Sequence, residues 1–262
     1  MTKTLKQLLA EGKSVRVLCA GAIATPKLIE AIGILGDLDG VWLDQEHSAI
    51  PHRELELMVM AARAAGYDAF VRVAPTDYAT VMRPFETGAS GVMAAQVRSV
   101  AEVEQVVRWA KYPPEGQRGL FLGNIEARFG TLEAARHTAA ANRDRWIVIQ
   151  IETAEALECV EGIAAVDGVD CLFVGPSDLS ANLGVVGQVL HPKCIAALER
   201  IARAAAAAKK SWGALSRTRE HAELCQKLGA RLFSIVSDMD LIHRGIQATR
   251  ALYGDLYPPR QS

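Results

Sequence analysis

The chain has 262 residues, half of them apolar and 23% charged, with a formal net charge of −1. This composition is typical of a folded globular protein and excludes disordered and collagen-like chains. Without a clustered Lys/Arg stripe there is no electrostatic reason to expect a nucleic-acid partner, and no apolar run approaches the ~20 residues of a membrane span. We therefore expect small-molecule partners, no nucleic acid and no membrane.

The cysteines are five in number and never form a C-x-x-C pair: Cys19, Cys159, Cys171, Cys194 and Cys225. An odd, widely spaced set does not predict a disulfide framework. The first twelve residues are polar and charged and lack the apolar core of a signal peptide. Together these features predict a reducing, cytoplasmic location.

Short apolar, β-branched runs alternate along the chain with longer helical patterns. The predicted strands are 15–18, 40–43, 69–73, 91–94, 146–151, 170–174, 212–215 and 232–236. The predicted helices lie near 26–35, 52–65, 76–87, 99–110, 155–165, 192–208, 218–228 and 239–252. The helix ends are indicated in part by Gly36, Gly66, Gly88 and Gly229.

Eight strand-then-helix repeats predict a closed (β/α)8 TIM barrel, an α/β fold that forms one domain over residues 1–262. The alternative is an open doubly wound sheet. Its dinucleotide-binding form would need a G-x-G-x-x-G after the first strand, and the chain has none there.

One connection, residues 111–145, is too long for a simple linker. It carries KYPPEGQRG, then GNIEARFG, then an Ala-rich helix. Long insertions on barrels often cover active sites, so we expect a lid here. A surface excursion with a stabilising helix is the alternative.

Two carboxylates end neighbouring strands of the expected barrel. Active sites of such barrels lie at the carboxyl ends of the strands, and Glu152 and Asp178 follow strands five and six. A divalent cation between them would remove their mutual repulsion and leave positions for water and a chelating substrate. Alternatively, each carboxylate caps the helix that follows it.

Three further polar residues belong to strands two and three. Asp44 and His47 lie three apart on the turn after strand two, where a carboxylate could orient an imidazole that acts as a general base. Arg72 lies inside an apolar strand, where a charge needs a partner. It could pair with Asp44 or Glu46, or it could bind an anionic substrate and an enolate oxygen.

The chain resembles a known family, the HpcH/HpaI class II aldolases typified by 4-hydroxy-2-oxoheptanedioate aldolase. The matching segments are LDQEH (43–47), VRV (71–73), KYPPEGQRG (111–119), QIETAEAL (150–157), VDGVDCLFVGPSDLSANLG (166–184) and LGARLFSIVSDMDLI (228–242). They span most of the chain.

The resemblance implies a (β/α)8 barrel whose last helix is exchanged between subunits, assembled as a homohexamer. It implies these roles: Glu152 and Asp178 as ligands of Mg²⁺, Mn²⁺ or Co²⁺, His47 with Asp44 as the base, Arg72 as enolate stabiliser, Gln150 and the Ser177 backbone at pyruvate, and Leu215 in the aldehyde pocket. Three departures are Gln45 where a small residue is usual, Ala95 where Pro is usual, and an unusual segment at 119–130.

The implied reaction is reversible aldol addition of pyruvate or hydroxypyruvate to an aldehyde through a metal-stabilised enolate, or cleavage of a 4-hydroxy-2-oxo acid. A Schiff-base aldolase would need a Lys at a strand's carboxyl end, whereas Lys209 and Lys210 precede strand seven. Oxaloacetate decarboxylation, a citrate-lyase-like cleavage and a non-catalytic metal-binding scaffold are the alternatives. The natural aldehyde is not indicated by the sequence.

Overall fold

The computed structural model describes residues 3–254 and 256. Its strands are β1 (Val15–Ala20), β2 (Gly40–Asp44), β3 (Asp68–Val73), β4 (Gly91–Ala94), β5 (Trp146–Ile151), β6 (Cys171–Val174), β7 (Ser211–Leu215) and β8 (Leu232–Ser237). All neighbouring pairs are parallel, and β8 pairs with β1, which closes the sheet into a barrel. The predicted (β/α)8 fold is confirmed, and every predicted strand lies within two residues of its observed bounds.

The described helices are α1 (Leu5–Ala10), α2 (Pro26–Leu35), α3 (His52–Ala64), α4 (Tyr78–Glu86), α5 (Val100–Ala110), α6 (Ala134–Asp144), α7 (Ala154–Glu158), α8 (Val160–Ala165), α9 (Pro176–Asn182), α10 (Pro192–Ala207), α11 (Arg219–Lys227) and α12 (Asp238–Tyr253). The helix predicted at 155–165 is interrupted at Cys159, which leaves α7 and α8. The short helix α9 is absent from the predicted helices, although the capping alternative for Asp178 implied one. Its N-cap is Gly175, and Asp178 lies in its first turn.

Apolar side chains fill the barrel from its interior outwards. One buried cluster includes Trp42, Phe70 and Trp146 from alternate strand positions, and Leu5 and Leu9 of α1 close it at the amino-terminal end. Strand residues of the opposite parity pack against the surrounding helices. Because both faces of a parallel barrel strand are buried, the strands read as nearly continuous apolar runs.

The insertion at 111–145 is anchored at the amino-terminal end of the barrel. It joins α5 to β5, so both its ends lie at the rim where strands begin. There Glu126 accepts hydrogen bonds from Arg118 at 3.2 and 2.5 Å and from Arg145 at 2.9 Å. Its central part reaches the start of α4, where the Gly119 N–H donates to Tyr78 Oη at 2.6 Å. A helix-to-strand connection thus anchors the insertion at the amino-terminal rim, whereas its contact with the start of α4, which follows β3, lies toward the carboxyl-terminal rim. A lid over the strand ends stays a prediction for this central part.

The last helix, α12, packs on the barrel only at its beginning. Asp238 is buried, whereas Leu241, Ile242 and Ile246 are more than 40% exposed. In the described part of the chain no helix is both long enough and apolar enough to cross a membrane. The five cysteines are free thiols, three buried and two half-buried.

Candidate active site

The first half of the site is a buried ion pair between neighbouring strands. Asp44 ends β2 and lies in register with Arg72 of β3. Arg72 Nε donates to Asp44 Oδ1 at 2.9 Å and Nη2 donates to Oδ2 at 2.7 Å. The Arg72 guanidinium also lies 4.6 Å from the Trp42 ring centroid. Of the two partners that the sequence allowed for Arg72, Asp44 forms the two-point contact and Glu46 a third contact, with its Oε2 3.1 Å from Nη1.

The charges of this pair stabilise one another. Burial alone would raise the pKa of Asp44, but the hydrogen bond and charge of Arg72 hold it below its ordinary value. Burial would lower the pKa of Arg72, and Asp44 and Glu46 instead keep it above its ordinary value. Both side chains are thus charged at neutral pH, and Arg72 retains N–H groups on Nη1 and Nη2 for another acceptor.

His47 lies beside this pair without a side-chain bond to Asp44. Asp44 Oδ1 accepts the backbone N–H groups of Glu46 and His47 at 3.0 and 3.4 Å. The His47 side chain is 63% exposed, and its Nε2 lies 3.9 Å from Glu46 Oε2. The predicted orientation of the imidazole by Asp44 is therefore not formed, because Arg72 and two backbone amides occupy that carboxylate. Asp44 instead fixes the turn that carries His47.

Gln45 stabilises the loop that begins with that turn. Its Nε2 donates to the carbonyl of Ile50 at 2.9 Å, so the side chain closes the loop after β2. The departure from a small residue at this position thus has a structural reason.

The second half of the site centres on Glu152, which follows β5 and is completely buried. Its Oε1 accepts two hydrogen bonds from Gln96, one from the backbone N–H at 2.9 Å and one from Nε2 at 3.1 Å. Its Oε2 accepts from Gln150 Nε2. Burial raises the pKa of Glu152 to about 7, with further contributions from the nearby charges of Glu46 and Asp178. Amide donors alone therefore leave this carboxylate short of positive charge.

Two buried oxygens near Glu152 also lack hydrogen-bond partners among the described residues: Glu46 Oε2 and Gln150 Oε1. For Glu46 the close approach of Arg72 is an ion pair without hydrogen-bond geometry. Gly175 lies against the carboxylate, since a Cβ there would clash with Glu152 Oε2. An unpartnered carboxylate oxygen and an unpartnered amide oxygen, near a carboxylate that only amides contact, are the oxygen types that a hard divalent cation binds.

Asp178 lies half-buried in the first turn of α9, and its neighbour Ser177 is exposed. Asn182 Nδ2 donates to the backbone carbonyls of Glu152 at 3.1 Å and Asp178 at 3.0 Å. This amide joins the two segments that carry the predicted metal ligands. Within residues 3–254 and 256 no group of three or more His, Cys, Asp or Glu could enclose a metal, so a cation held by two carboxylates would keep open coordination positions.

The remaining predicted residues lie on the same end of the barrel. Gln150 is buried in β5, and Leu215 ends β7, half-buried against the interior cluster. Lys209 and Lys210 precede β7, as the sequence indicated, at the opposite rim. The sequence interpretation missed Gln96 and Asn182. Gln96 comes two residues after β4, which was the available signal, whereas nothing in the spacing indicates Asn182.

Comparison with known proteins yields concordant matches. A model of the family described as HpcH/HpaI aldolase/citrate lyase matches residues 16–244. A 5-keto-4-deoxy-D-glucarate aldolase of Shigella boydii serotype 18 is 32% identical over 235 residues, which cover 90% of each chain. The crystal structure of an HpcH/HpaI aldolase from Desulfitobacterium hafniense DCB-2 has a TM-score of 0.91 and 30% identity, covering 98% of this chain and 99% of that one. The citrate synthase SbnG has a TM-score of 0.85 and 28% identity, covering 96% of this chain and 98% of that one.

Proposed function

The chain belongs to the HpcH/HpaI aldolase/citrate lyase family, a family of carbon–carbon lyases, and from this premise we propose that it is a divalent-metal-dependent class II aldolase. Its donor is pyruvate or a related 2-oxo acid such as hydroxypyruvate, and its acceptor is an aldehyde. In the opposite direction it cleaves 4-hydroxy-2-oxo acids. The observation that carries the proposal is the buried Glu152 carboxylate, which accepts hydrogen bonds from amides alone and lies near the charges of Glu46 and Asp178.

Glu152 and Asp178 are the residues that would hold the cation. A bound Mg²⁺, Mn²⁺ or Co²⁺ would polarise the 2-oxo group and acidify the adjacent methyl protons. The raised pKa of Glu152 supports this assignment, since a cation would offset the burial and the neighbouring negative charges that raise it.

Arg72 stabilises the oxygen that becomes negative in the enolate. Its Nε and one Nη2 hydrogen are directed to Asp44, which leaves donors for a substrate oxygen. The geometry is set in advance by Asp44, so little reorganisation accompanies the reaction. Glu46 restrains the other side of the guanidinium.

His47 accepts the methyl proton and later returns a proton to the new alkoxide. Its imidazole is exposed next to the buried pair, where it can exchange protons with substrate and solvent. Asp44 contributes by holding the backbone of the turn. Gln150 and the Ser177 backbone bind the pyruvate carboxylate or oxo group, and Leu215 lines the aldehyde pocket.

The test is exchange of pyruvate methyl protons in deuterated water, followed by a panel of aldehydes. We expect exchange that a chelator abolishes and that Mg²⁺, Mn²⁺ or Co²⁺ restores. Cleavage of 5-keto-4-deoxy-D-glucarate, the compound named for the Shigella relative, is the first reaction to assay in the reverse direction. A chelator-resistant enzyme that borohydride traps with pyruvate would contradict the proposal.

A decarboxylase of oxaloacetate would use the same enolate, and product analysis without an aldehyde distinguishes it. A citrate-lyase-like reaction is separated by assaying citrate cleavage. The higher TM-score and identity to the solved aldolase than to the citrate synthase support aldol chemistry.

We further propose a homo-oligomer in which a second copy of the chain covers α12. The support is the apolar side of this helix, which the barrel leaves exposed at Leu241, Ile242 and Ile246. Light scattering after size exclusion should give a hexamer, and Ile242→Asp with Ile246→Asp should shift it to smaller species. A monomeric parent protein would contradict this assembly.

A further inference from the structure

Gln96 has a backbone conformation that side-chain-bearing residues rarely adopt. Its φ is 56°, in the left-handed region where Cβ crowds the backbone. Such a conformation persists only where the surrounding contacts require it. The contacts of Gln96 include two hydrogen bonds to the same atom. Its backbone N–H and its Nε2 both donate to Glu152 Oε1.

These two hydrogen bonds determine which carboxylate oxygen of Glu152 can still accept a ligand. A carboxylate offers about four acceptor sites, two on each oxygen. Gln96 fills both sites on Oε1, and Gln150 fills one on Oε2. One acceptor position therefore remains, and it is on Oε2.

The surrounding atoms leave the Glu152 carboxylate no room to rotate. Glu152 is 0% exposed, and the backbone of Gly175 lies so close to Oε2 that even a Cβ would not fit. Rotation of the carboxylate would also break the three hydrogen bonds that the amide groups of Gln96 and Gln150 donate to it. The single free position is thus set by the fold before any cation binds.

We infer that Gln96 is a positioning residue that restricts Glu152 to ligation through one oxygen, and that the site thereby selects small octahedral cations over Ca²⁺. Ca²⁺ takes six to eight oxygen ligands and often uses both oxygens of a carboxylate, whereas Mg²⁺ requires near-ideal octahedral geometry at shorter distances. The inference rests on the proposed function, because it assumes that Glu152 is a metal ligand.

The experiment measures cation binding to chelator-treated protein by calorimetry, with MgCl₂ and CaCl₂ as separate titrants and no substrate. Gln96→Gly removes the side-chain donor but keeps the backbone N–H, because Gly adopts positive φ without strain. Lys209→Gly is the matched control: Lys209 has the same φ of 56°, is exposed and lies at the other rim.

We expect wild-type protein to prefer Mg²⁺, and Gln96→Gly to reduce the ratio of Ca²⁺ to Mg²⁺ dissociation constants by about tenfold or more, the effect of one hydrogen bond to a charged group. Lys209→Gly should behave as wild type. Gln96→Asn, whose shorter amide cannot reach Oε1 while the residue still tolerates this φ, should reproduce the shift and serves if the Gly variant does not fold.

A ratio that is unchanged in both Gln96 variants, with Mg²⁺ still bound, would overturn the inference and leave the proposed function standing. Wild-type protein that binds neither cation would overturn both. A loss of selectivity in Lys209→Gly as well would show that relief of backbone strain, rather than the Glu152 contact, is responsible, and would also overturn it.

Discussion

The two ends of the barrel each bury a glutamate, and they balance its charge differently. At the amino-terminal end Glu126 contacts two guanidinium groups, and Arg118 and Arg145 hold its pKa below the ordinary value although burial alone would raise it. At the carboxyl-terminal end the hydrogen bonds to Glu152 come from amides, and burial raises its pKa to about 7. The first carboxylate has its counter-charges within the chain, whereas the hydrogen bonds to the second supply no positive charge.

The difference separates a structural ion pair from the proposed metal site, although both use a glutamate. Removing one partner of a buried ion pair leaves an uncompensated buried charge and is strongly destabilising. A buried carboxylate that is held rigidly but left under-neutralised is typical of functional sites. The following substitutions are expected to affect one end without the other.

The largest effect is expected from Glu152→Gln. Removal of the charge should weaken cation binding and reduce turnover by about a thousandfold or more, since metal-ion stabilisation of the transition state is worth several kcal/mol. Steady-state kinetics at saturating Mg²⁺ measures this loss. Stability in chelator should not fall, because a neutral amide relieves the burial cost; a strong loss of stability would contradict the comparison.

Glu126→Gln is expected to give the opposite result. It leaves the buried Arg118 and the half-buried Arg145 without their counter-charge, which should lower the free energy of unfolding by roughly 3 kcal/mol or more. Urea denaturation measures the change. Activity per folded molecule should remain, and its disappearance at temperatures where the protein stays folded would show that the two ends are coupled.

A pH titration in chelator gives the third effect. Because the pKa of Glu152 is raised from 4.5 to about 7, the folded state binds more protons than the unfolded state, and its stability falls as pH rises through that range. The difference in unfolding free energy between wild type and Glu152→Gln should therefore fall by about 3 kcal/mol between pH 4.5 and 8.

Two buried histidines also make the stability depend on pH, which is why wild type is compared with Glu152→Gln rather than measured alone. Burial lowers the pKa values of His137 and His221, so their contribution to stability is lost as pH falls through 6.5, opposite in sign to that of Glu152. Both proteins in the comparison share them. A difference that stays flat across the pH range would contradict the raised pKa of Glu152.

The sequence predicted the barrel well because every strand is buried on both faces and appears as an apolar run. It predicted the end of the barrel at which Glu152, Asp178 and Arg72 lie because strand ends locate barrel sites. It offered Asp44 and Glu46 as partners of Arg72 without choosing between them, and it missed the hydrogen bonds from Gln96 to Glu152. Asp44 contacts Arg72 rather than the His47 imidazole because β2 and β3 pair in that register, which sequence spacing does not reveal.

The insertion shows what the order of elements predicts and what it does not. Its order in the chain, after a helix and before a strand, already places its ends at the amino-terminal rim, and this information was available from the predicted elements. The contacts of Arg118 with Glu126 depend on how the insertion folds back on itself, and no periodic pattern encodes that path.

The smallest effects are expected from two asparagines that clamp backbone segments at the two ends. Asn142 is buried and bonds both to the N–H of Tyr112 at 2.7 Å and to its carbonyl at 2.9 Å. Asn182 is exposed and bonds the carbonyls of Glu152 and Asp178. Asn142→Ala should lower the free energy of unfolding by about 2 kcal/mol, because it leaves buried backbone groups without partners.

Asn182→Ala should lower stability by only about 0.5 kcal/mol, since water can replace an exposed amide. Its effect should instead appear in the dissociation constant for Mg²⁺, because the two carboxylate-bearing segments lose their link. We expect a weakening of about tenfold, the lower end of the range for residues that support metal ligands. Calorimetric titration of both variants with MgCl₂ measures the two dissociation constants. If Asn142→Ala weakened Mg²⁺ binding as much as Asn182→Ala does, the two ends would not be independent, and the contrast between the complete ion pair and the under-neutralised carboxylate would lose its functional meaning.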